Sequence, residues 1–83
     1  MLSGMESRRL IARNLVQIRL TRGLSQEALA LQAGVDRTYV SGLERGMRNP
    51  SVDLLDRLAK ALTVSTADFF AITVMNPRSS ALP

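Results

Sequence analysis

Chemistry in this chain has to come from arginine, hydroxyl and amide side chains. Histidine and cysteine are absent, which removes the commonest general base, the thiolate nucleophile and the usual zinc ligands. A Ser-His-Asp triad is impossible. Asp53, Asp56 and Asp68 read as helix-start or surface charges, not as catalytic carboxylates. The expectation is therefore a protein that is not an enzyme and holds no metal and no cofactor. Ten of the eleven basic residues are arginine, and the formal net charge is +4. The planar guanidinium matches phosphate and guanine edges, so the basic surplus points to a polyanionic partner. How strongly it does so depends on where the arginines lie.

The elements that must position them are helical. Leu10, Ile11, Leu15 and Ile18 recur at near-helical spacing over 6–22, with Arg9, Arg13, Asn14 and Gln17 between them. Gly23 stops this helix, and Arg19 and Arg22 suit the negative end of its dipole. Ser25 caps a second helix over 26–33, ended by Gly34. Asp36 caps a third over 37–45, ended by Gly46. Pro50 closes the loop that follows, and Ser51 caps a fourth helix over 52–62 with Leu55, Leu58, Ala59 and Leu62 as its apolar stripe. Ser65 and Asp68 have the form of a capping box and open a fifth helix over 66–74. No segment alternates with a period of two. The pattern predicts an all-α fold, a compact bundle of about five helices. One domain is expected over 1–75, with 76–83 a frayed tail. No apolar run approaches the roughly 20 residues of a membrane span, and the N-terminus lacks an apolar signal core. A cytoplasmic protein without membrane contact follows.

The informative stretch is 26–45, two short helices joined by a tight turn. Close approach of the two requires a small residue on the near face of the first, and Ala30 is there. The turn requires tolerance of positive φ, and Gly34 provides it. Leu29, Val35, Val40 and Leu43 supply the inward apolar positions. This is the sequence form of a helix-turn-helix unit, and equally that of an ordinary helical hairpin in a bundle. The outward face of the third helix separates the two. With Val40 and Leu43 turned inward, Arg37, Thr38, Ser41, Gly42 and Arg45 lie on the outer side or at its edge. No large apolar residue interrupts them, which suits entry into a major groove about 12 Å wide. Arg37 stands at the N-terminal end that meets base edges, Thr38 offers a hydroxyl and a methyl, and Gly42 removes bulk.

The strings Gly23-Leu24-Ser25-Gln26-Glu27-Ala28-Leu29-Ala30, Ala33-Gly34-Val35, Leu43-Glu44-Arg45-Gly46 and Arg48-Asn49-Pro50-Ser51 resemble the Cro/C1-type helix-turn-helix family, also called the XRE family. The resemblance spans about residues 10–70. It implies a lambda repressor-like DNA-binding domain, a transcriptional regulator that binds a pseudo-palindromic operator in double-stranded DNA as a homodimer, with no small-molecule substrate. It implies base-reading positions at Arg37, Thr38, Ser41 and Gly42. It implies phosphate contacts from Gln26, Tyr39, Arg45, Arg48 and Asn49, and a helix-turn-helix core of Leu29, Ala30, Gly34, Val40 and Leu43. Many phage repressors carry Gln at base-reading positions where this chain has Arg37 and Gly42, so their targets do not transfer. The run Asp36-Arg37-Thr38-Tyr39-Val40-Ser41-Gly42-Leu43-Glu44-Arg45 is also similar to the short controller proteins of restriction-modification systems. The same bundle can serve instead as a protein-interaction module, as in an antitoxin or an adaptor.

Glu44, acidic beside these arginines, is expected to orient Arg37 or Arg45, with Arg13 a further candidate for its partner. The C-terminal part is more apolar than one buried stripe requires. Phe69 is assigned to the core, and Phe70, Ile72 and Met75 to a dimer interface.

Overall fold

A computed structural model describes residues 4–72, with side chains from Glu6 onward. Helix α1 covers Gly4–Thr21, α2 Gln26–Ala33, α3 Arg37–Glu44 and α4 Val52–Leu62, followed by a 3-10 helix at Thr66–Phe70. The all-α expectation holds, with four α-helices and one 3-10 helix among the described residues. Met75 and the 76–83 tail lie outside those residues.

Helix starts follow from short polar side chains that accept from backbone N–H groups left without an intrahelical partner. Ser25 Oγ accepts from the Ala28 N–H at 2.9 Å, Asp36 Oδ1 from Thr38 at 2.9 Å, and Ser51 Oγ from Leu54 at 3.1 Å. Ser65 Oγ accepts from the Ala67 N–H at 3.1 Å while Asp68 Oδ2 accepts from the Ser65 N–H at 3.0 Å, the expected reciprocal cap. Each α-helix ends on a residue with left-handed or reversing backbone followed by a long bond back into the last turn. The N–H groups of Leu24, Val35, Met47 and Val64 reach the carbonyls of Arg19, Ala30, Gly42 and Ala59 at 2.9–3.1 Å. This pattern satisfies carbonyls that the helix itself leaves open.

The core gathers Ile11 and Leu15 of α1, Leu29, Ala30 and Ala33 of α2, Val40 and Leu43 of α3, Leu54, Leu55, Leu58, Ala59 and Leu62 of α4, and Phe69. Burial of each large side chain contributes about 1.5–3 kcal/mol. Helix α1 packs on α3 and on the 3-10 helix, α2 on α3 and α4. Leu24, Val35 and Val64, the residues after three of the helix ends, pack against this core.

Two expectations change here. Asn14, placed between apolar positions as a polar-face residue, is buried. Its Nδ2 donates to the carbonyls of Phe69 at 2.8 Å and Ala71 at 2.9 Å. The fifth helix, expected to run on as an α-helix, is instead a 3-10 helix that stops at Phe70, with Ala71 extended at φ −67° and ψ 133°. Asn14 takes up carbonyls that a continuing helix would offer to N–H groups further along, and Phe69 is drawn fully into the core.

Thr63 ends α4 with φ 60° and ψ 44°, the only non-glycine with positive φ among the described residues. A β-branched residue is poorly suited to that conformation. Thr63→Gly is expected to stabilise the fold by about 1 kcal/mol, seen as a higher urea midpoint at unchanged slope. A lower midpoint would mean that the side chain contributes more than its backbone costs.

Candidate nucleic-acid interface

The orientation of α3 is set at its C-terminal end by Glu44. Arg19 of α1 grips the carboxylate with both arms, Nε to Oε2 at 2.5 Å and Nη2 to Oε1 at 3.0 Å. The third nitrogen, Nη1, donates to the Leu24 carbonyl at 2.8 Å. Gln26 Nε2, from the first turn of α2, donates to Glu44 Oε1 at 2.8 Å. The Arg19 and Glu44 side chains retain only 11% and 5% of their exposure, so the pair works in a largely desolvated place. One carboxylate thereby fixes α1, the turn after it, α2 and α3 to one another.

This overturns the expected partner of Glu44. The acid orients neither Arg37 nor Arg45, and its partners are Arg19 and Gln26. The helix dipole alone accounts for a basic residue at Arg19 but not for this pairing. The sequence did hold a signal: Arg19 continues the spacing of Ile11 and Leu15 by four residues and so falls on the inward side of α1. Asn14, three after Ile11 and four before Ile18, carried the same signal.

On the outer side of α3, Arg37 and Thr38 are exposed, Ser41 is half-buried, and Arg45 is exposed just past the helix end. Asp36 caps the helix beside them. Its carboxyl is held below the ordinary 3.8, first by the Thr38 backbone N–H, then by the Thr38 hydroxyl, with a further contribution from the Arg48 charge. Tyr39 is half-buried and packs against the core with one side. The guanidinium carbon of Arg48 lies 5.0 Å from the centre of its ring. Asn49 is exposed next to it. The structure thus brings Arg37, Thr38, Tyr39, Ser41 and Arg48 to one surface around α3. Gln26 stands at the start of α2 with its amide nitrogen engaged by Glu44.

Gly42 departs from its expected place. It is buried, not open on the outer face, because the Arg48 side chain folds back over it. The residues of the helix-turn-helix core behave as the pattern requires: Leu29, Ala30, Val40 and Leu43 are buried. Gly34 takes φ 71° in the turn. Phe70 and Ile72 are 44% and 70% exposed, consistent in position with an outward apolar surface at the end of the described chain.

Arg19→Met leaves a buried carboxylate without its cation, and is expected to cost about 3–5 kcal/mol in urea unfolding. A loss under about 1 kcal/mol would remove this pair from the structural role given to it. The Asp36 carboxyl binds protons less readily folded than unfolded, so its contribution is complete above the ordinary value and disappears as pH falls through the lowered folded value. Wild type should therefore lose stability relative to Asp36→Asn as pH is lowered through and below 3.8. Parallel pH profiles of the two melting temperatures would contradict it.

A family model described as helix-turn-helix matches residues 15–69. The uncharacterized HTH-type transcriptional regulator y4dJ of Sinorhizobium fredii is 40% identical over 73 residues, 88% of this chain and 95% of its own length. The control protein C.BamHI of Bacillus amyloliquefaciens is 41% identical over 69 residues, 82% of this chain and 85% of that protein. The crystal structure of the restriction-modification controller protein C.AhdI from Aeromonas hydrophila matches with a TM-score of 0.74 at 41% identity, covering 76% of this chain and 96% of that one.

Proposed function

The chain belongs to the helix-turn-helix family of XRE type, and from that premise we propose that it is a controller-type transcriptional regulator acting by equilibrium binding to an operator. The observation that carries this reading is the exposed face of α3. It presents Arg37 and Thr38 at its N-terminal end, with Arg45, Arg48 and Asn49 around the other. Glu44, the acid at the end of α3, is already paired beneath this face by Arg19.

In this reading α3 enters the major groove. Arg37 and Thr38 meet base edges, Arg37 through a bidentate contact to guanine, and Ser41 lies at the edge of the reading surface. Gln26, Tyr39, Arg45, Arg48 and Asn49 hold the sugar-phosphate backbone, fixing register and making affinity depend on salt. The exposed Phe70 and Ile72 pair two copies. Two recognition helices then stand roughly 34 Å apart, one turn of duplex, and read a pseudo-palindrome. The protein works in the cytoplasm, without catalysis, and the position of the operator relative to a promoter sets the regulatory outcome.

Selection of bound duplexes from a random pool at near-physiological salt tests the reading. Enrichment of a pseudo-palindrome with half-sites one turn apart is the expected result. Retention without enrichment would reduce the interface to backbone contact. On the enriched duplex, Arg37→Ala should cost about 1–3 kcal/mol and leave binding to random duplex nearly unchanged. Equal losses on both would remove Arg37 from the base-reading set.

A further inference from the structure

Gly42 is unexplained by its own backbone. Glycine inside a helix is less stable than alanine, and Gly42 is not among the residues with positive φ. The core does not demand it either. A Cβ built at this position meets, as its three nearest neighbours, Nε, Cδ and Cγ of Arg48 at 2.9, 3.1 and 3.2 Å. What the missing side chain makes room for is Arg48.

The chain brings Arg48 there deliberately. Gly46 reverses the backbone at φ 72°, and the Met47 N–H reaches back to the Gly42 carbonyl at 2.9 Å. Arg48 then lies along the bare backbone of Gly42 with its guanidinium beside the Tyr39 ring. The Asp36 carboxylate feels its charge from the helix start. A guanidinium that rests its face on an aromatic ring keeps in-plane N–H groups available to other acceptors.

We propose that Gly42 is a positioning residue, the seat on which Arg48 is held against Tyr39 so that its donors meet DNA already oriented. Arginine is rich in rotamers, and ordering it before contact removes that cost from binding. This rests on the DNA-binding reading and gives Gly42 a different part from the direct base contact that its position in the family pattern implies.

The test is Gly42→Ala, alone and on an Arg48→Ala background. Alanine fits a helical backbone, so the melting temperature should not fall. Affinity for the duplex enriched by wild type should fall about fivefold to tenfold. On the Arg48→Ala background the same change should have no further effect on affinity. The Arg48 guanidinium carbon lies 5.0 Å from the centre of the Tyr39 ring, so the ring-current shift of the Arg48 side-chain protons is a readout without DNA, assigned to this ring by its disappearance in Tyr39→Leu. It should be present in wild type and lost in Gly42→Ala. A loss of affinity as large with Arg48 absent as with it present would assign residue 42 a direct contact and overturn the proposal. So would an unchanged ring-current shift. Failure of wild type to bind any duplex would sink the DNA-binding reading itself, while the ring-current measurement still decides whether Gly42 seats Arg48.

Discussion

A single buried carboxylate governs this fold. Glu44 has little water to solvate it, and three N–H donors from two other helices replace that water. Buried ion pairs are poor sources of net stability, because desolvation consumes much of the attraction. Their geometric demand is strict, however. Arg19 must approach with its fork in the plane of the carboxylate, and Gln26 must arrive at one of the same oxygens. Apolar packing among Leu29, Val40 and Leu43 allows α2 and α3 to slide by small amounts at modest cost. The Glu44 cluster removes that freedom, and the outward face of α3 inherits the resulting angle.

The helix ends supply the second constraint. Four helices finish with the same reversal, and after three of them an apolar side chain drops onto the core: Leu24, Val35 and Val64. The end of α3 is the exception. Met47 follows its reversal and remains 68% exposed, so the loop from Gly46 to Pro50 lacks the apolar anchor that the other turns share. Arg48 on Tyr39 and Gly42 takes that place. The one loop without a core anchor is thus the one held by a charged side chain on the outer surface.

Much of this architecture was legible in the sequence. The bounds of α2 and α4, all four capping residues and the inward set of the helix-turn-helix follow from apolar period and cap chemistry, which are local properties. The exposed Arg37 and Thr38 were legible for the same reason. What escaped was long-range polar pairing. Asn14 with the Phe69 and Ala71 carbonyls, and Arg19 with Glu44, join residues far apart in sequence through contacts that local propensity does not encode. Asn14 and Arg19 stand at inward positions of α1, where their polarity by itself suggests exposure. Gly42 failed differently. Its register on α3 was outward as expected, but a side chain from a later loop covered it.

Asn14 also bears on how such a domain can diversify. Through it, α1 clamps the carbonyl of Ala71, and the exposed Ile72 follows at once. In the proposed pair, the separation of the two reading helices is then tied to the buried side of α1, where substitution endangers the whole fold. Arg37 and Thr38 carry their side chains away from the core and can be exchanged at small structural cost. New target sequences lie within reach of single substitutions, whereas a new half-site spacing does not. Descendants of such a chain would be expected to drift in what they read long before they drift in how far apart they read it.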